Sequence, residues 1–140
     1  MPQARPTGSR EVVIEARLRW RPFRLPLRAA FRSALPGAAG VLHVREGLLL
    51  AIEDGESCGW GEVAPLPLAG VPTISTLVAM LATNADALLA DIESAPAVLR
   101  CGLESALLDL EGRRLGLPIA ALLDSDIAEP AEAVTVNAII

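Results

Sequence analysis

The sequence predicts an α+β domain in which a three-stranded antiparallel meander is followed by a layer of helices. Two observations carry this prediction. Apolar residues alternate with a period of two in the first half of the chain, and from about residue 74 they recur with the period of an α-helix. Strands joined by short connections favour an antiparallel sheet, and one face of such a sheet needs a cover. The 140 residues, 52% of them apolar, are enough for one domain with a real core.

The first strand is predicted from residue 11 onward by strict alternation. Its apolar face comprises Val12, Ile14, Ala16, Leu18 and Trp20, and the opposite face is charged. Residues 1–10 are expected to form a flexible lead. Because prolines disfavour continuation of a strand, residues 22–40, which begin with Pro22, are expected to form a long loop. A loop of that length is often functional.

The second and third strands are predicted at residues 41–53 and 58–63. The pair Asp54-Gly55 between them is typical of a tight hairpin. Two aromatic residues, Trp20 and Trp60, are expected to pack in the core. His43 is expected to be an ordinary strand residue, because the chain has no second histidine.

Two helices are predicted to cover the sheet. The stretch TISTLVAMLATNADALLADI has its apolar residues at helical spacing, with Thr73 as the N-cap. The second helix is expected from about Pro96, in its first turn, to Gly116 at its C-terminus. The leucines expected to point inward are Leu99, Leu103, Leu107 and Leu110.

Beyond the second helix, a short helical turn is expected after Pro118, followed by an acidic linker. The last seven residues, VTVNAII, form an apolar, β-branched run that is typical of a buried parallel strand. A parallel partner for this strand requires a crossover of a dozen or more residues. The chain is therefore expected to end at the start of another domain.

Composition excludes several kinds of chemistry for these residues. All 12 basic residues are arginines, and there is one histidine and no tyrosine. A lysine base, a Schiff-base lysine and a polyhistidine metal site are therefore excluded. Cys58 and Cys101 lack the spacing of a metal or disulfide motif and are expected to be reduced. No nucleic-acid-binding motif and no membrane-length apolar run occur, so we expect a cytoplasmic protein that binds neither nucleic acid nor membrane.

Four stretches resemble the N-terminal capping domain of the enolase superfamily, in its muconate-lactonizing branch. In chain order they are LPLRAAFRSALPG, REGLLLAIEDGESCGWGEVAPLP, CGLESALLDLEGRRLGLPIAALL and VTVNAII. The GWGEVAPLP segment is most similar to the o-succinylbenzoate synthase family, and VTVNAII is similar to the first barrel strand of that family. The resemblance implies a capping domain at residues 11–128. Residues 129–140 would then be a linker and the first strand of a truncated β/α barrel.

The resemblance also implies an activity, that of a magnesium-dependent dehydratase of menaquinone biosynthesis. In that family a barrel lysine removes the proton next to the substrate carboxylate, Mg²⁺ held by barrel carboxylates stabilises the enediolate, and hydroxide leaves. The resemblance therefore assigns Mg²⁺ to the intact parent enzyme and no metal ligand or catalytic residue to this chain. We expect the chain to be inactive alone. The alternatives are a capping domain of a muconate cycloisomerase or dipeptide epimerase, and a free-standing binding or oligomerisation module.

Capping domains of this kind shape the substrate pocket through two loops, which correspond to residues 22–40 and 64–72. The resemblance assigns substrate contact to Arg28, Phe31, Arg32 and Ser33 in the first loop and to Pro65, Leu66 and Pro67 in the second. An arginine suits a small carboxylate substrate because its guanidinium pairs with a carboxylate in bidentate fashion.

Each of these candidates has a purely structural alternative. The arginines, including Arg24, could be solvated loop charges. The apolar residues of the second loop could form a turn that packs on the first helix. Glu62 is expected to be a strand-end hydrogen-bond acceptor, not a catalytic acid. Self-association through the apolar second helix and the terminal strand is a further expectation, because exposed apolar edges favour association.

Overall fold

The computed structural model describes residues 16–32, 40–123 and 135. Strands β1 (Arg17–Arg32), β2 (Val41–Asp54) and β3 (Ser57–Val63) are followed by helices α1 (Ile74–Ala90), α2 (Ala97–Leu115) and α3 (Ile119–Leu123), with a 3₁₀ turn at Ile92–Ser94. The strands form one antiparallel sheet in the order β1-β2-β3. The predicted α+β meander with a helical layer is therefore confirmed. The lead, Ser33 and the terminal VTVNAII, apart from Thr135, lie outside the described residues.

The first strand is longer than the sequence predicts. β1 continues through Pro22 and Pro26 to Arg32, so the expectation of a loop from residue 22 is wrong. The reason lies in the position of the strand. β1 is at the edge of the sheet, where alternate backbone nitrogens have no partner strand, and the even separation of the two prolines directs both nitrogens to the same side. The ladder is irregular only between Pro26 and Phe31.

The hairpin between β2 and β3 is tight, as predicted, but its two turn residues are Gly55 and Glu56, because Asp54 still pairs with Ser57. One face of the resulting sheet packs against the helices and forms the core. Its central residues are almost completely buried: Leu48, Leu50, Ile52 and Val63 from the sheet, Leu77 and Leu81 from α1, and Leu99, Leu103 and Leu110 from α2. Each such side chain contributes about 1.5–3 kcal/mol by leaving water.

The helix ends follow the sequence signals closely. The Thr73 hydroxyl accepts a hydrogen bond from the Thr76 backbone N–H at 3.2 Å, as expected of an N-cap. α2 ends at Gly116, which takes the left-handed conformation that glycine allows. Pro96 is the N-cap of α2 and not, as the sequence indicates, a residue of its first turn. Leu107, predicted to point inward, is only partly buried.

Small residues bring β3 and α2 unusually close. A Cβ atom added to Gly59 would collide with the Ala106 carbonyl oxygen, and one added to Gly61 would collide with the Gly102 carbonyl oxygen. We call these four residues the β3–α2 seam. Gly102 and Ala106 are both buried on α2 at this contact.

Two polar links reinforce this contact. The Trp60 backbone N–H donates to Asp109 Oδ2 at 2.8 Å, and Arg113 Nε donates to the same oxygen at 2.9 Å. Arg114 forms an ion pair with Asp54 at the hairpin. The Trp60 side chain is 53% exposed, so the prediction that it packs in the core is wrong. Trp60 projects from the face of the sheet opposite the helices, because Gly59 and Gly61 on either side of it face α2.

Candidate functional site

A cavity of about 500 Å³ lies where the chain leaves β3 and turns toward α1. We call it the loop pocket. Its walls are the N-terminal part of β2 and the connection from β3 to α1, and most of its lining is apolar. The lining residues are Leu42, Val44, Arg45, Glu46, Pro65, Leu66, Pro67, Leu68, Ala69, Val71, Pro72, Thr73 and Ile74.

Prolines and local hydrogen bonds shape the loop wall. Prolines at positions 65, 67 and 72 fix the backbone over much of residues 64–73. The Leu68 N–H donates to the Leu66 carbonyl at 2.8 Å, and the Val71 N–H donates to the Leu68 carbonyl at 3.2 Å. The Thr73 cap then starts α1. The loop is therefore ordered by its own sequence at both ends.

Arg45 attaches this loop to β2. Its guanidinium donates to the carbonyl oxygen of Pro65 at 3.0 Å and also to that of Ala64. The β2–β3 ladder ends at the pair Leu48 and Val63, so the Arg45 side chain continues the connection between the two chain segments after the backbone pairing stops. Arg45 is half-buried, and hydrogen bonds from a charged donor are stronger than neutral ones.

Three candidate residues of the second loop line the cavity. Pro65 and Leu66 are half-buried, Pro67 is exposed, and all three line the cavity. Thr73 and Ile74 at the start of α1 also line it. The two interpretations drawn from the sequence, an apolar lip over a ligand and a turn next to the first helix, are thus both compatible with this geometry.

The first set of candidate residues lies on β1 and not on a loop. Phe31 is half-buried and pairs directly with Leu42, a pocket-lining residue, whereas Arg32 is exposed and pairs with Val41. Arg28 is exposed in the irregular stretch between Pro26 and Phe31. Ser33 lies outside the described residues.

Arg24 has a carboxylate partner within the chain. Its Nε atom lies 3.1 Å from Glu46 Oε1, and both side chains are more than half exposed. Glu46 itself lines the loop pocket. An incoming carboxylate would therefore have to compete with Glu46 for Arg24.

The two charged residues of the pocket are both engaged within the chain, Arg45 with the loop carbonyls and Glu46 with Arg24. Arg45 and Glu46 are the ionisable residues that line it, set among aliphatic side chains and prolines. Such a cavity can enclose the apolar part of a small ligand and keep water from it.

Glu62 and His43, which the sequence predicts to be strand residues without a catalytic role, are exposed residues of β3 and β2. Within residues 16–32 and 40–123, no three His, Cys, Asp or Glu side chains lie together as a metal site. These residues thus do not fit Mg²⁺, and no step involving the metal is assigned to them.

One carboxyl group of the described residues has a clearly shifted pKa. The hydrogen bond from Arg113 lowers the pKa of Asp109 below its ordinary value, and the Trp60 N–H adds to this effect, while burial opposes it. Asp109 lies on α2 at the contact with β3, away from the pocket-lining residues. Its shifted pKa therefore reflects a structural link between helix and sheet.

Sequence reasoning missed Arg45. The residue lies between Val44 and Glu46 in a strand, and nothing in the local sequence singles it out. The available signal was the alternation of side chains along the strand. Val44 and Glu46 share one face of β2, so Arg45 lies on the other face, next to the chain that follows β3.

Of the helices in the described ranges, none is long and apolar enough to cross a membrane.

A comparison with known families decides the relationship. The family described as MenC, N-terminal domain, matches residues 28–110, more than half of the chain. The chain belongs to this family. The matched range includes most of the sheet, the loop pocket and most of α2. It also agrees with the resemblance to the enolase superfamily found in the sequence.

Curated relatives of this MenC N-terminal domain are similar over a short stretch. The o-succinylbenzoate synthase of Yersinia enterocolitica is 47% identical over 49 residues, which cover 29% of this chain and 15% of that protein. The o-succinylbenzoate synthase of Yersinia pestis is 46% identical over 43 residues, covering 26% of this chain and 13% of that protein. The matches thus cover a small fraction of the curated relatives.

Solved structures share the fold of this MenC N-terminal domain. An enolase family member from Agrobacterium tumefaciens, with homology to dipeptide epimerases and bound sodium and L-Ala-L-Glu, has a TM-score of 0.66 at 24% identity; the match covers 83% of this chain and 35% of that one. The L-Ala-D/L-Glu epimerase from Bacillus subtilis has a TM-score of 0.60 at 20% identity, over 76% of this chain and 33% of that one. The chain thus spans about a third of these structures.

Proposed function

We propose that this chain is the capping domain of an o-succinylbenzoate synthase-like dehydratase of menaquinone biosynthesis. In this proposal the loop pocket forms one wall of the substrate site, and the base and the Mg²⁺ ligands come from a barrel domain. The observation that carries the proposal is membership of the MenC N-terminal domain family, together with relatives named o-succinylbenzoate synthase. A cytoplasmic location is part of the same proposal.

The loop pocket supports the assignment of a binding role. Its apolar lining and volume of about 500 Å³ suit the hydrocarbon part of a small carboxylate substrate. Phe31 next to Leu42 extends the apolar wall, and the exposed Arg28 and Arg32 lie on the same end of β1, where they could pair with a carboxylate. We propose that the pocket excludes water from the reacting end of the substrate.

A domain exchange tests this proposal. Residues 28–110 replace the corresponding segment of the Yersinia enterocolitica o-succinylbenzoate synthase, and the chimera is assayed with Mg²⁺ for formation of o-succinylbenzoate. We expect dehydration to be retained. Epimerisation of L-Ala-L-Glu, measured in parallel, distinguishes the competing dipeptide epimerase assignment. A folded chimera that epimerises the dipeptide and does not dehydrate would contradict the proposal.

A pair of variants in the chimera tests the pocket itself. Leu66→Ala removes an apolar group from the pocket wall and is expected to raise KM about tenfold, the usual effect of a lost hydrophobic contact. Leu49→Ala is the matched control, because Leu49 is 41% exposed and lies outside the pocket lining. Equal KM values for the two variants would count against a role of the loop pocket in substrate binding.

The isolated chain provides a second, independent test. Because its 140 residues contain no lysine, we expect no dehydration of the succinyl-cyclohexadiene substrate above background when Mg²⁺ is supplied. Product formation is followed by ultraviolet absorbance and checked by mass spectrometry. Turnover that persists through further purification would show that this chain supplies a base of its own.

A further inference from the structure

The face of the sheet that points away from the helices has an apolar centre. Directly paired residues share a face of a sheet, and the register places Arg19, Ala51 and Trp60 in one row across the three strands. The next row consists of Arg21, Leu49 and Glu62. We call these two rows the outer sheet face. Two of its apolar members are accessible, with Trp60 53% and Leu49 41% exposed, whereas Ala51 between the strands is buried; a cavity of about 480 Å³ lies against all three.

Charge is separated across this face. The β1 edge carries the exposed Arg19 and Arg21, and the β3 edge carries the exposed Glu62. Arg19 is paired with Glu53 at 3.0 Å. Arg21 and Glu62 lie at opposite ends of one row, two strand spacings apart, which is about 9.6 Å between backbones. Glu53 follows Ala51 on the same face of β2 and is the partner of Arg19. The outer sheet face is therefore positive at the β1 edge and negative at the β3 edge, and its centre carries Leu49 and Ala51 next to a neutralised Glu53.

This distribution is self-complementary under a two-fold rotation. If two copies pack face to face about an axis parallel to β2, β1 of one copy lies over β3 of the other. Arg21 then faces Glu62 of the second copy, and Leu49 faces its own counterpart. Glu53 also faces its own counterpart, with the charge of each neutralised by Arg19 of the same copy. Arg19 faces the ring of Trp60 of the second copy, where a guanidinium can stack on the indole. Face-to-face packing of twisted sheets with nearly aligned strands is a common arrangement.

We propose that the outer sheet face binds a second copy of this chain in this two-fold arrangement. The contact repeats the same residues on both copies, as a symmetric dimer requires. Two rows of three side chains offer less than the ~800 Å² per partner of a standard stable interface, so the dimer is weak, with a Kd on the order of micromolar or above. The proposal is independent of the loop pocket and of the proposed function.

Sedimentation velocity of the 140-residue chain over a range of concentrations tests the proposal. We expect a reversible monomer–dimer equilibrium for the unaltered chain. Arg21→Glu and Glu62→Arg each place like charges opposite each other and are expected to weaken the dimer at least about tenfold. The double variant restores an opposite-charge pair across the two-fold axis, so its Kd is expected to return to near the original value.

Further measurements distinguish the outer sheet face from the helical side of the domain as the surface that makes the contact. Trp60→Ala should weaken the dimer, whereas Leu123→Glu, on the helical side at a residue 69% exposed, should leave its Kd unchanged. Added salt should weaken the dimer of the unaltered chain, a result that needs no variant. Circular dichroism verifies that each variant is folded.

Three results would overturn the proposal. A monomer at millimolar concentration would exclude the contact, and a double reversal no tighter than the singles would exclude the two-fold pairing. Loss of the dimer in Leu123→Glu alone would assign self-association to the helical face instead.

Discussion

The β3–α2 seam lies along the middle of β3, the loop pocket lies beyond the C-terminal end of the same strand, and the two regions are held together in different ways. At the seam, Gly59 and Gly61 of β3 allow the backbones of β3 and α2 to come into close contact. The Trp60 backbone N–H also donates to the Asp109 carboxylate on α2. At the pocket, the chain leaves the sheet and encloses a cavity of about 500 Å³, with Arg45 connecting the loop to β2. A Cβ atom on Gly59 or Gly61 would collide with α2, whereas the side chains around the pocket border an open cavity.

This difference separates architecture from recognition. A contact made by backbone atoms tolerates no change of side chain, and it fixes where α2 lies on the sheet. A loop held by proline and one arginine can change its apolar side chains without disturbing the sheet. We therefore expect the fold to depend on the seam and ligand preference to depend on the loop. Four substitutions test this comparison.

The largest expected effect is that of Gly61→Ala at the seam. The new methyl group would collide with the backbone carbonyl of Gly102, which no side-chain rotation relieves, so the free energy of unfolding should fall by about 3 kcal/mol or more. Urea unfolding followed by circular dichroism measures it. The matched control is Gly70→Ala in the loop. Gly70 has open space around it and a φ of 80°, so only the backbone cost of about 1 kcal/mol applies. Equal losses would remove the distinction between the two regions.

Arg45→Ala is expected to have the second-largest effect. It leaves two carbonyl oxygens of the loop without their charged donor, and we expect the free energy of unfolding to fall by about 1.5–2 kcal/mol. Hydrogen exchange should accelerate mainly in residues 64–73, with α2 unaffected at low denaturant. Arg45→Lys, which keeps the charge but not the fork of donors, should give an intermediate result. Uniform acceleration across the domain would show that Arg45 supports the whole fold.

Asp109→Asn is expected to destabilise the seam by about 1 kcal/mol at neutral pH. Because the folded state lowers the pKa of Asp109, its contribution is complete above the ordinary carboxyl pKa of about 4 and is lost as pH falls through the lowered folded value. The stability difference between the unaltered chain and the variant should therefore shrink as the pH is lowered below about 4. Urea unfolding at several pH values measures this difference, and a constant difference down to pH 2 would contradict the role assigned to the carboxylate.

Arg24→Ala should have the smallest effect. The pair of Arg24 with Glu46 is exposed, with 71% and 57% of the two side chains accessible, and such pairs contribute less than about 0.5 kcal/mol. Thermal unfolding at low and high salt measures it, and added salt should reduce even this difference. A loss of stability comparable to that of Arg45→Ala would mean that the exposed Arg24–Glu46 pair supports the loop pocket as much as the Arg45 hydrogen bonds do.

Much of the fold could be predicted from the sequence because the signals are local. The alternation of apolar residues, the Asp54-Gly55 turn, the Thr73 cap and the left-handed Gly116 each depend on a few neighbouring residues. Within the described residues, the structure shows the alternation from Ala16 to Trp20, a tight turn at Gly55 and Glu56, the Thr73 cap and Gly116 at the end of α2. The apolar loop at residues 65–67 was also recognised, through family resemblance, as a segment of interest.

Other features could not be predicted because they depend on what lies across the sheet. Prolines normally end a strand, but at the edge position of β1 they do not, and only the strand order reveals that edge. Trp60 is expected inside by its hydrophobicity, yet the glycines on either side of it face α2 and direct its ring outward. The role of Arg45 depends on a loop 19–20 residues further along the chain.

The sequence by itself determined which segments are strands and helices, how the helices are capped and which faces are apolar, because periodicity and backbone preference act within a few residues. Only the tertiary structure decided where β1 stops being a strand, which aromatic ring stays exposed and which arginine holds the pocket loop. These features follow from the spatial neighbours of each residue. For Trp60 these neighbours are set by the close packing of β3 on α2, for the prolines of β1 by the edge of the sheet, and for Arg45 by the chain that follows β3.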